Sequence, residues 1–131
     1  MPISSAASAL PADIYELFPI LKERENNKGT QLSGGQQQML AIGRALLTNP
    51  QFLLMDEPSE GLAPVIIEQV GEIIGTLKGT GLSMLLVEQN FYLACAVADI
   101  VLVMNKGQIV WQGRPDELLA NEEIQHKYLG V

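Results

Sequence analysis

Leu32-Ser33-Gly34-Gly35-Gln36, and further along Phe52-Leu53-Leu54-Met55-Asp56-Glu57, are the two stretches whose reading decides the fold. The first reads as a glycine-rich turn opening a helix. Ser33 and Gln36 have the spacing of a capping box, in which the Ser33 hydroxyl accepts from the Gln36 backbone N–H and the Gln36 side chain reaches back. That accounts for Ser33 but not for the glycines, each of which costs up to roughly 1 kcal/mol relative to alanine in a helical turn. Two positions without side chains, beside free N–H groups at the positive end of a helix dipole, are what close approach of a phosphate requires. Both glycines are therefore expected to stand open to a ligand.

The second stretch is an apolar run of strand length without alternation. Such a strand is expected to be covered on both faces, as in a parallel sheet with helices on each side. In those sheets ligands gather beyond the carboxyl ends of the strands, where Asp56 and Glu57 fall. Successive strand residues point opposite ways, so one carboxylate can serve a metal and the other a water. The plainer account is an acidic pair closing a strand before the turn marked by Pro58. The functional account is preferred, because acids beside a buried apolar run are costly without a cationic counterpart.

LSGGQ, a helix containing Arg44, FLLMDEPSEGLAP and LLVEQN, in that order, resemble the ATP-binding subunit of an ABC transporter. The finer pattern, QQQMLAIGRALL, DEPSEGLAP, VEQN and the ending GRPDELLANEEIQHKYLG, is similar to the branched-chain amino acid importers. The resemblance runs from about Ile14 to the C-terminus. The family's phosphate loop, G-x-x-x-x-G-K-[ST], has no counterpart ahead of Leu32, and neither has its Q-loop glutamine. The chain thus resembles the C-terminal portion of such a domain. The implied fold is α/β: a partial P-loop NTPase sheet of mainly parallel strands flanked by helices, with part of a helical subdomain.

The resemblance also implies the chemistry. Two ATPase subunits hold two ATP molecules head to tail, and Ser33, Gly34, Gly35 and Gln36 would meet the γ-phosphate of ATP held by the partner subunit. Asp56 would hold Mg²⁺ through water and Glu57 would act as general base. Gln89 stands where the family usually has a histidine at the γ-phosphate; it can donate and accept hydrogen bonds but cannot take up a proton at neutral pH. The expected cofactors are ATP and Mg²⁺, and the expected partners are a second ATPase subunit and integral-membrane permease subunits. The implied location is cytoplasmic, peripheral on the inner face of the cell membrane. The other class of function is a non-catalytic module that keeps the signature face and docks on an intact ATPase or another protein.

Bulk properties agree with a one-domain globular chain of 131 residues, 47% apolar and 18% charged. A net charge of -7 argues against nucleic acid or an anionic membrane surface as the main partner. The single cysteine, Cys95, sits in an apolar helical run, so no disulfide framework is expected. No apolar stretch approaches membrane-spanning length.

Residues 1–13 read as a tail or leader, 14–50 as part of the helical subdomain with the signature motif, and 51–131 as the C-terminal part of the ATPase core. Ile14, Leu17, Phe18 and Leu21 form a helical stripe that Pro19 kinks or splits. Met39, Leu40, Gly43, Leu46 and Leu47 give the signature helix one buried face, and Asn49-Pro50 stops it. Arg44 could pair with an acid inside the subdomain, the preferred reading, or across an interface. Ser59–Pro64 is a turn, the counterpart of the family's D-loop. Pro64 opens a helix with Ile66, Val70, Ile73, Ile74 and Leu77 on one side. Ser83–Glu88 is a second buried strand, and Asn105-Lys106-Gly107 is a hairpin turn. Trp111 reads as a packing residue and His126 as a surface residue. By the resemblance, the strand bearing the phosphate loop belongs between the strand ending at Glu88 and the one starting at Ile100. Its absence leaves unpaired edges and apolar faces, so the isolated chain is expected to form a homo-oligomer or swapped dimer, or to rearrange its sheet.

Overall fold

A computed structural model describes residues 12–131. The tail or leader expected over 1–13 lies outside the described residues except for its last two, which open a helix. That helix, α1 (Ala12–Leu17), is separated from α2 (Pro19–Glu23) at Phe18, so Pro19 splits the stripe in two and starts the second piece. Ile14, Phe18 and Leu21 are buried against α3 (Gly34–Leu46), where Gly43 lets the helices approach: a Cβ there would lie 3.1 Å from Ile14 Cγ2. Past α3, Asn49 takes a left-handed φ of 50° ahead of Pro50, which turns the chain into β1 (Phe52–Asp56).

A helical crossover follows. Pro64 occupies the first turn of α4 (Pro64–Gly79), Gly81 turns the chain with φ 85°, and β2 (Ser83–Val87) pairs with β1 in parallel, Phe52 opposite Ser83 and Asp56 opposite Val87. Val70, Ile73, Ile74 and Leu77 of α4 and Met39 and Leu40 of α3 share a core with Leu53 and Met55. Met84 and Leu86 pack at its margin.

Burial of β1 and β2 differs from expectation. Leu53 and Met55 are buried, but Phe52 is 53% and Leu54 67% exposed, and Leu85 and Val87 beside them are exposed too. The strands read as fully apolar because both faces are built for burial. Among the described residues only one face is covered, since α3 and α4 lie on the Leu53–Met55 side.

A second core forms around α5 (Phe91–Val97), the hairpin of β3 (Val101–Asn105) and β4 (Gln108–Gly113), and α6 (Pro115–Leu119), with Phe91, Cys95, Val103 and Leu118 at its centre. Lys106 and Gly107 take φ of 50° and 78°, the paired left-handed conformation of a tight hairpin turn. Trp111 packs against this core, as read from the sequence. A short helix α7 (Glu122–Ile124), capped by Asn121, runs on through Gln125–Leu129. The β1–β2 and β3–β4 pairs are separate sheets, so β2 and β3 are not neighbours. Lys78 at the end of α4 bridges toward the second core, bonding the Val97 carbonyl at 3.1 Å and the Asp99 carboxylate at 2.7 Å.

Candidate functional site

Because β1 and β2 run parallel, their carboxyl ends share one rim. Asp56 closes β1 and is exposed. Glu57 follows with its N–H donating to the Val87 carbonyl at 2.7 Å and with φ of 50°, a left-handed conformation uncommon for a residue with a side chain. Partial desolvation first, then a hydrogen bond to Glu60 and the charges of Glu60, Asp56 and Glu88, push the Glu57 carboxyl above its ordinary range. Gln89, just beyond β2, is exposed at the same rim.

The third rim acid behaves differently. Glu88 Oε1 accepts from the Ser59 hydroxyl at 2.8 Å and the Asn90 N–H at 3.1 Å, while Oε2 accepts from the Ser59 N–H at 3.3 Å. Asn90 in turn caps α5, its side chain accepting from the Leu93 N–H at 2.9 Å. On the other side of the turn, Gln38 of α3 donates to the Pro58 carbonyl at 3.0 Å. The sequence assigns no role to Glu88 or Gln38 and places Ser59 only in the turn. No local pattern marks such a contact, because Ser59 and Glu88 meet only once β1 and β2 have paired.

The start of α3 is capped as the Ser33–Gln36 spacing predicts. Ser33 Oγ accepts from the Gln36 N–H at 3.2 Å and Gln36 Oε1 accepts from the Ser33 N–H at 3.1 Å. The two glycines part company. Gly34 is exposed, and a Cβ there would make ordinary contact with Leu62 at 3.4 Å. Gly35 is buried, and a Cβ would lie 2.5 Å from Ile66 Cγ2. The expectation that both stand open thus needs correction: the missing side chain of Gly35 makes room for α4. Among the described residues the first-turn N–H groups of Gly34 and Gly35 have no acceptor.

The structure therefore gathers Asp56, Glu57 and Gln89 at one rim. At the start of α3 it seats Gly34 against Leu62 and Gly35 against Ile66, with Ser33 and Gln36 joined in the capping box. Arg44 departs from expectation: it is exposed and makes no ion pair among the described residues, because no acid on the neighbouring elements reaches it. His126 is exposed, as expected, and Cys95 is buried, which pushes its thiol pKa up. A shallow cleft between α5 and α6, lined by Cys95, Asp99, Arg114 and Asp116, contains none of the expected site residues. Among the described residues no three His, Cys, Asp or Glu side chains converge as a metal cage. Magnesium keeps most of its waters and needs only one or two protein carboxylates, so the exposed Asp56 suits a water-mediated role and not a closed site.

Known proteins resemble this chain across both stretches. The family model described as ABC transporter matches residues 8–60, through the signature helix and the carboxylate pair. Over 117 residues the chain is 50% identical to the high-affinity branched-chain amino acid transport ATP-binding protein BraG of Pseudomonas aeruginosa, covering 89% of this chain and 50% of that protein. The chain belongs to the ABC transporter family. Within that family it is also 34% identical over 118 residues to the lipopolysaccharide export system ATP-binding protein LptB of Escherichia coli, covering 90% of this chain and 48% of that one. Its fold matches the crystal structure of the ADP conformation of MJ1267, an ATP-binding cassette of an ABC transporter. That match has a TM-score of 0.79 at 32% identity and covers 91% of this chain and 48% of that one. The chain spans about half the length of the curated relatives it matches. Its fold is of the α/β P-loop NTPase type seen in those ATP-binding cassettes, as expected from the signature and the carboxylate pair.

Proposed function

We propose that this chain is the signature-bearing part of the ATP-binding and ATP-hydrolysing subunit of a branched-chain amino acid importer. The observation that carries the ATPase reading is the shared rim of β1 and β2, which presents Asp56, Glu57 and Gln89 together. The likeness to BraG supports the substrate class.

In this reading each residue does what its surroundings leave it able to do. A carboxylate whose pKa is raised is a stronger base, so Glu57 takes the proton of the attacking water. Gln89 donates its amide N–H to a γ-phosphate oxygen and orients it by geometry alone. Asp56 holds Mg²⁺ through water; the ion, when bound, neutralises phosphate charge. At the start of α3, Ser33 Oγ uses a lone pair in the capping box, which leaves its O–H to donate to a phosphate. The unpaired N–H groups of Gly34 and Gly35 add two donors at the positive helix end, and Gly35 needs only its backbone for this. Gln36 holds the cap rigid through its side chain. The chain carries both sets of groups, which suits a head-to-tail pair in which each ATP meets the rim of one subunit and the α3 start of the other. One solved relative, the ATP-binding cassette MJ0796 bound to ADP and Pi, is described as dimeric; it is 26% identical with a TM-score of 0.69.

No lysine-bearing phosphate loop occurs in these 131 residues, so in this reading they do not themselves supply the ATP cradle. No helix among the described residues is long and apolar enough to cross a membrane, so work at a membrane proceeds by docking on permease subunits at its cytoplasmic face. Alone, the chain covers its open strand face with a second copy, as a homo-oligomer or swapped dimer.

The test is an ATPase assay in which the chain is added to an ABC ATPase that bears the phosphate loop. The expected result is a rise in turnover that Glu57→Gln abolishes, while the isolated chain binds MgATP weakly by calorimetry. Absence of any rise would sink the ATPase reading and leave a module that docks without catalysis.

A further inference from the structure

Glu88 is spent on the protein itself. Its two oxygens take three donors, the hydroxyl and N–H of Ser59 and the N–H of Asn90. Two of those bonds reach Ser59, which is 6% exposed and lies on the turn after the carboxylate pair. Capping α5 does not need them, since Asn90 already holds the Leu93 N–H. Hydrogen bonds to an ionised acceptor are roughly twice as strong as neutral ones. The same turn is held from α3 by Gln38 at the Pro58 carbonyl. Gln89 sits between Glu88 and Asn90, its side chain exposed and its backbone fixed on both flanks.

From this geometry we infer that Glu88 is a positioning residue: its carboxylate locks the Ser59 turn to Gln89, so that the signature helix, the turn and Gln89 keep one fixed relation. This rests on the ATPase reading for its purpose, but the lock itself can be read without nucleotide.

The experiment uses the full chain, labelled with ¹⁵N. Ser59→Ala is expected to move the amide resonances of Gln89 and Asn90, far along the sequence, and to move them no further once Glu88→Gln is present. Exchange of the Ser59 amide should quicken roughly tenfold in Glu88→Gln, as loss of a charged acceptor implies. In the paired ATPase assay both variants should lower kcat several-fold and leave KM for ATP unchanged, a split that mere loss of stability would not give. Gln89 resonances unmoved by Ser59→Ala, an effect of full size persisting in Glu88→Gln, or a rise in KM with kcat intact would each overturn the inference. Should the wild-type pair show no ATPase while the resonance shifts hold, the ATPase reading falls and the lock stands.

Discussion

Gly35 and Ile66 are in contact where no further atom fits: a Cβ on Gly35 would lie 2.5 Å from Ile66 Cγ2, inside any real carbon–carbon approach. The glycine that a nucleotide-binding reading assigns to phosphate access is thus also what seats the signature helix on α4. Gly35→Ala should destabilise the chain by about 1–3 kcal/mol, the usual cost of overpacking. Gly34→Ala meets only ordinary contact and should be neutral, or stabilising by up to about 1 kcal/mol through helix propensity. Denaturant melts of both variants check this. Adding Ile66→Ala should recover much of the Gly35→Ala loss.

Stability should depend on pH through Glu57. Its folded pKa is raised, so the folded chain holds this proton where the unfolded chain has released it. Its contribution is therefore fully present below the ordinary carboxylate range and is lost as pH rises through the raised value. Glu57→Gln should raise the melting temperature at pH 7, and the gain should vanish below about pH 4, under the ordinary carboxylate value. Melts across that range would show it; an equal gain at every pH would refute the cause.

Ser33→Ala removes the hydroxyl that accepts from Gln36 and should cost about 1 kcal/mol. Amide exchange should quicken in the first turn of α3 and not in α4.

Much of this fold is legible locally. The cap at Ser33, the stripe of α4 and the Asn105-Lys106-Gly107 turn are short-range devices, and each stands where its pattern puts it. In the signature helix Met39, Leu40 and Gly43 are buried and Leu46 packs at the core margin as the stripe implies, but Leu47 is exposed and Ile42 is buried as well. The helix ends at Leu46 and its lower face is fixed by α1 and α2, not by its own period. The reason for Gly35 and the Ser59–Glu88 bonds were illegible, because both depend on contacts between distant segments. The rim acids were found since a buried apolar run ending in carboxylates is itself the signal.

The two faces of β1 should answer oppositely to substitution. Leu53→Ala, in the core, should cost about 2–5 kcal/mol. Leu54→Lys, on the 67% exposed side, should change monomer stability by under about 0.5 kcal/mol and shift light scattering toward smaller species. Unchanged scattering would argue that this side does not drive self-association.

That bare side has a cellular consequence. Phe52, Leu54, Leu85 and Val87 form a water-facing oily stripe on paired strands, the kind of surface that holdase chaperones and quality-control proteases recognise. How long a molecule of this kind survives after synthesis is then set less by its melting point than by how soon something shields those four side chains.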